Sequence, residues 1–182
     1  MARQPRNVTA LQMLAALLVL LVPLVAVVYF FTRNPEPPIT PVDYRPLAEQ
    51  AAAAASYPVL VPENLPDGWV ATRARWTPAG GRLVGGEPAP GDTWQLGFLS
   101  PERSYFALDQ RDVAPETFVA DVTRQGRPDG ETAVGQELWT RYLSEDGRTR
   151  SLVRESEGVT IVSGDLPYEA LAAFASTLAP VE

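Results

Sequence analysis

The chain has 182 residues, 15 basic against 22 acidic, and contains no histidine, cysteine or lysine. Those absences exclude a Ser-His-Asp triad, imidazole metal ligands, thiolate chemistry, disulfides, Schiff bases and a P-loop lysine. Acid–base work is left to Asp, Glu, Tyr and Arg, so the expectation is a protein that is not an enzyme and needs no cofactor or metal.

Between Asn7 and Arg33 there is no charged side chain, and Val8 to Phe31 reads VTALQMLAALLVLLVPLVAVVYFF. About 20 apolar residues rising 1.5 Å each cross a bilayer core. A helix also satisfies its own backbone in lipid. Residues 8–32 are therefore predicted to form one transmembrane helix with no polar face, Pro23 within it. The alternative is a cleaved signal peptide, whose apolar region is shorter and ends in small residues. Here the run ends in bulky Val27-Val28-Tyr29-Phe30-Phe31, which suits the interfacial belt of a retained anchor. Arg3, Arg6 and the amino terminus precede the helix; Arg33 and Arg45 follow it. Counted near the helix ends, basic residues favour a cytoplasmic stub over residues 1–7 and a C-terminal domain outside the cell. The opposite orientation is the alternative.

Residues 33–43 form a proline-rich linker, RNPEPPITPVD, with Pro35, Pro37, Pro38 and Pro41. It is expected to run extended at about 3.1 Å per residue as a passive spacer. Every acidic residue lies beyond the anchor, leaving 12 arginines against 22 acidic groups there, a net −10. Such a surface repels nucleic acid and anionic headgroups, so no nucleic-acid partner is expected.

Residues 44–182 amount to one domain. Pro46 to Ala55 predicts a short helix, and Val59 to Val61 a short strand closed by Pro62 and the turn Pro66-Asp67-Gly68. Trp69 to Trp76 predicts a strand, and Gly80 to Gly91, with five glycines and two prolines, a mobile hairpin tip. Trp94, Leu96 and Phe98 alternate with Gln95 and Gly97 as in a half-buried strand. Tyr105 to Gln110 returns with Phe106 and Leu108 on one face. Pro115 to Arg124 predicts a helix with Phe118, Val119 and Val122 on one stripe, ended by Gly126.

Strands follow at Gln136 to Ser144, Thr149 to Glu155 and Val159 to Gly164, with an Asp-Gly pair in the first turn. A last helix, Pro167 to Leu178, is expected to be capped near Asp165, with Leu171, Phe174, Ala175 and Leu178 facing the core. The fold class is α+β: the N-terminal transmembrane helix, then a mainly antiparallel sheet of about six strands packed by two or three helices. Leu138-Trp139-Thr140-Arg141-Tyr142-Leu143 carries large apolar groups on both faces, which predicts cover on both sides of the sheet.

Three stretches, YPVLVPENLPDGWVATRARW (Tyr57 to Trp76), WQLGFLSPERSYFALDQRD (Trp94 to Asp112) and VTIVSGDLPYEALAAFASTL (Val159 to Leu178), together with the anchor, carry a resemblance. The chain resembles the domain of unknown function 4245, a family of uncharacterised single-pass membrane proteins from high-G+C Gram-positive bacteria. The Pro-x-Gly-Trp turn followed by Trp-x-Leu-x-Phe is its most distinctive part. The resemblance implies a tethered extracytoplasmic domain and brings no catalytic residue. In element order alone the domain is similar to α/β/α sandwiches of the PsbP kind, which serve as assembly or binding factors.

No catalytic, cofactor or metal residue is assigned, and no binding residue is singled out. Trp69, Trp76, Trp94 and Trp139 could line a ligand groove, but at strand positions they read as core. Arg148, Arg150 and Arg154 share strand parity and could receive an anion; with Glu145, Asp146, Glu155 and Glu157 nearby they read as a solvated, salt-bridged face. Asp109, Asp112 and Glu116 are the carboxylates considered for acid–base work, which needs a pair about 5–10 Å apart in a cleft. No D-x-D-x-D-G calcium loop occurs. The expected role is a noncatalytic binding or interaction module of the cell envelope, held in the membrane by one helix and recognising an envelope or membrane-protein partner. The alternative roles are a carrier or sensor of a small apolar or envelope ligand, and a carboxylate-dependent hydrolase.

Overall fold

The computed structural model describes residues 8–32 and 40–181, in two units divided between Ile39 and Thr40. The expected stub over residues 1–7 and most of the proline-rich linker, residues 33–39, lie outside the described residues.

The first unit is a helix, α1, Val8–Thr32, with Pro23 inside it. Its stretch Gln12–Phe30 is long and apolar enough to cross a membrane, since 19 residues rise about 28 Å. Its side chains from Gln12 to Phe30 are all exposed, as a lipid-facing helix requires.

The second unit is α+β. Its helices are α2 (Arg45–Ala54), α3 (Pro115–Val122) and α4 (Tyr168–Ala175). Its strands are β1 (Leu60–Pro62), β2 (Val70–Thr77), β3 (Thr93–Leu99), β4 (Tyr105–Arg111), β5 (Arg127–Val134), β6 (Glu137–Leu143), β7 (Arg150–Glu155), β8 (Val159–Gly164) and β9 (Leu178–Pro180). Seven strands form one sheet in the order β2-β3-β4-β8-β7-β6-β5, every neighbour antiparallel. Strands β1 and β9 pair separately as a two-stranded ribbon.

Period-two alternation divides the sheet into two faces. Trp94, Leu96 and Phe98 of β3, Phe106 and Leu108 of β4, Trp139 of β6, Leu152 of β7 and Val162 of β8 join Leu171 and Phe174 of α4 and Ala48 and Ala51 of α2 in one core. Its centre is aromatic: Trp69 stacks on Phe174 at 5.6 Å, and Phe106 lies 4.9 Å from Trp69 and 5.1 Å from Phe174. Alanines at 48 and 51 let α2 approach closely. On the opposite face Phe118 and Val119 of α3 cover Val153, Val159 and Ile161, with Tyr142 packed beside them. Helices thus lie on both sides, as the mixed pattern of β6 predicted.

The sheet has one strand more than the six expected, and it is β5. Pro128 and Gly130 read as turn residues in sequence. Proline is tolerated at a sheet edge, and a bulge between Pro128 and Glu131 absorbs the irregularity. The last helix ends at Ala175 rather than Leu178; Leu178 still packs on the core, but from the ribbon, paired with Pro62. Nor does Asp165 cap that helix. The N-cap position is Pro167, with no side-chain hydrogen bond, while Asp165 Oδ1 accepts from Thr149 Oγ1 at 2.6 Å. Helix α3 ends two residues before Arg124, because Arg124 and Gln125 both turn to positive φ. At the far end of the expected linker, the Val42 N–H donates to Ala71 O at 2.9 Å, so chain contacts begin before Tyr44.

Candidate functional site

Helix α3 covers only part of its face of the sheet, and beside its C-terminal end lies a groove of about 540 Å³. Its floor comes from the strand positions that alternate with the aromatic core: Gln95 of β3, and Tyr105, Ala107 and Asp109 of β4. Arg73 of β2 and Ser163 of β8 flank them, and Arg103, Arg124 and Thr149 close the sides from turns.

Asp109 is the centre of this floor. It is only 4% exposed. Its Oδ1 accepts from Gln95 Nε2 at 2.7 Å and lies 3.5 Å from Arg73 Nη2. Burial raises its pKa above the ordinary carboxylate value, against the opposing pull of Arg73, the Gln95 hydrogen bond and Arg111. The Tyr105 phenol is also pushed up by burial, with Arg73 opposing and Asp109 reinforcing. Gly97 makes room for this tyrosine: a Cβ there would collide with the Tyr105 hydroxyl. A glycine inside a strand marks such a close approach. The neighbouring Arg111 serves the fold instead, donating from Nε to Thr93 Oγ1 at 3.1 Å and lying 4.3 Å over the Phe118 ring.

The three carboxylates considered for paired acid–base work do not form one site. Asp109 lines the groove and Asp112 does not; Asp112 Oδ2 accepts from Ser56 Oγ at 2.9 Å. Glu116 is exposed in the first turn of α3. The arginines also part company. Arg150 lies 5.7 Å over the Tyr168 ring and Arg154 5.2 Å over Trp139, the latter paired with Glu137 rather than with Glu155 or Glu157. Arg148 sits in the turn, its N–H donating to Asp146 Oδ1 at 3.1 Å. Tyr168 donates to Asp129 Oδ2 at 2.8 Å and to Tyr142 O at 3.1 Å; burial first, then that bond, pushes its pKa up to about 12.

Trp94 and Trp139 are fully buried, while Trp69 and Trp76 pack against the same core half-buried. A second groove, of about 480 Å³, lies on the other face, where the ribbon and the end of α4 meet β6 and β7. Its lining includes Leu60, Gln110, Trp139, Arg154, Glu157 and Leu178. Residue-type reasoning singled out Asp109 but missed Gln95, Arg73 and Tyr105 around it. The signal available in sequence was Gly97, a glycine interrupting an otherwise bulky strand.

Comparison with known structures finds similarity to a chain in a structure described as the complex of Pseudomonas aeruginosa MucA/MucB, at 16% identity and a TM-score of 0.37. The match covers 68% of this chain, which spans about a third of that chain's length (35%). No curated protein matches the sequence. The family described as "Protein of unknown function (DUF4245)" matches residues 6–178, and the chain belongs to that family.

Proposed function

We propose that this protein is a single-pass, membrane-anchored module whose domain stands outside the cell and binds an envelope or membrane-protein partner without catalysing a reaction. The observation that carries the reading is the partly uncovered sheet face around Asp109. Its lining holds three arginines (Arg73, Arg103 and Arg124) and Tyr105, residue types that protein interfaces favour, and Arg73 Nε is buried there without an acceptor. Helix α1 supports the anchor, and the absence of histidine, cysteine and lysine from the sequence supports the noncatalytic part.

The test is photocrosslinking in intact cells from residues on the two sides of the domain. A crosslinking amino acid at Arg75, beside the groove, should capture one recurrent protein, while the same group at Glu49 on α2 should not. Equal capture from both positions, or none from Arg75, overturns the reading. One observation favours a carboxylate-dependent hydrolase as the second reading: Asp109 combines burial, a raised pKa and a groove. Hydrolytic turnover by the purified full chain that Asp109→Asn abolishes without unfolding it would establish that alternative.

A further inference from the structure

The second groove contains two donors that the fold leaves unused. Trp139 is 1% exposed and its indole Nε1–H has no acceptor; the Nε–H of Arg154 beside it has none either. Two comparable buried side chains are satisfied. The other fully buried indole, Trp94, donates to Leu60 O at 3.0 Å. Gln110, in the same groove as Trp139, spends its whole amide: Oε1 accepts from Leu60 N at 2.8 Å, and Nε2 donates to Pro58 O at 3.2 Å and to Thr160 Oγ1 at 3.1 Å. A buried donor without a partner is destabilising, and here two adjoin in one wall of an open groove.

We propose that this groove is a binding site for a small neutral amphiphile bearing a carbonyl oxygen, an amide or its equivalent, whose oxygen accepts from Trp139 Nε1–H and Arg154 Nε–H. The apolar body fits the walls made by Leu60, Val134 and Leu178. Charge selects for neutrality. Glu137 already holds the Arg154 Nη1 and Glu157 lines the same groove, so a carboxylate ligand would meet two acidic groups with one arginine between them. Both donor atoms are shielded from solvent. The guanidinium of Arg154, lying 5.2 Å over the indole ring with its side chain 21% exposed, is the movable part of that shield. Entry of the ligand therefore turns Arg154 about its pairing with Glu137 and uncovers the edge of Trp139. This site lies on the opposite face from the Asp109 groove and stands independently of the partner proposed for it.

The experiment follows the indole N–H signals of the full chain, labelled with indole-¹⁵N tryptophan, in phosphatidylcholine nanodiscs. Trp139→Phe identifies the Trp139 signal by its loss, and the three other indoles report whether that variant is folded. Hexanamide should shift the Trp139 signal downfield in a saturable way and leave the Trp94 signal in place; hexanoate should bind at least tenfold more weakly. N-acetyl-leucine methylamide distinguishes a peptide carbonyl from a simple acyl amide by which of the two neutral probes binds more tightly. Arg154→Met should weaken the tighter probe about tenfold, the loss of one hydrogen bond. No saturable shift with either neutral probe, tighter binding of hexanoate, or full affinity in Arg154→Met overturns the proposal. So does a shift spread equally over all four indoles.

Discussion

Replacing Gln110 with methionine should unfasten the ribbon from the sheet. Gln110 is 3% exposed and reaches from β4 to the Pro58–Leu60 segment and to Thr160 of β8. Methionine has nearly the same length and volume, so the cavity contribution is small. What disappears is three hydrogen bonds, and the buried Leu60 N–H at the start of β1 loses its 2.8 Å acceptor. A stranded buried donor costs about 1–3 kcal/mol, and the two lost acceptor contacts bring the total to about 2–4 kcal/mol. At roughly 4 °C per kcal/mol for a domain of this size, the midpoint should fall by about 8–16 °C. Thermal unfolding of the full chain, followed by tryptophan fluorescence, measures it, with exposed Gln136→Met as the control. A fall of less than about 2 °C, or one matched by the control, would refute the argument that Gln110 ties ribbon to sheet.

Three further outcomes follow from the same geometry. Because burial raises the Asp109 pKa, the folded chain holds that proton to higher pH than the unfolded chain does. Its contribution is therefore intact at low pH and is lost as pH rises from about 4 through the folded value. Asp109→Asn should remove that decline, so denaturant midpoints of variant and parent should diverge as pH rises above about 4, the unfolded carboxylate value; parallel curves would contradict it. Gly97→Ala should leave stability within about 1 kcal/mol, since strand propensity gains what the contact costs. It should nevertheless displace the Tyr105 ring, reducing capture from position 75. Tyr168→Phe should cost about 1–2 kcal/mol by urea unfolding, because its hydroxyl ties α4 to Asp129 on the edge strand and to Tyr142.

Much of the fold was legible because alternation and helical stripes are local. Trp94, Leu96 and Phe98 announced their face, and Phe118 and Val119 announced theirs. Strand β5 escaped because Pro128 and Gly130 carry the chemistry of a turn; only a free sheet edge makes them tolerable in a strand. Strand β9 escaped because Leu178 sits in helical phase with Leu171, although its pairing partner, Pro62, is more than a hundred residues away. The Asp109 site has the same character. Its carboxylate is one of 22 acidic groups in sequence, and it becomes distinct only when β2, β3 and β4 bring Arg73, Gln95 and Tyr105 around it. The arginines at 148, 150 and 154 show the converse: shared parity did not make a shared site, because aromatic rings and Glu137 claimed two of them separately.

The most direct test of the whole account is protease accessibility in intact protoplasts, with separate epitopes at the two ends of the chain. Trypsin added outside should destroy the C-terminal epitope and leave the N-terminal one on a short fragment that stays in carbonate-washed membranes. A protected C-terminal domain, or mature protein beginning after Thr32 and released by carbonate, would contradict it.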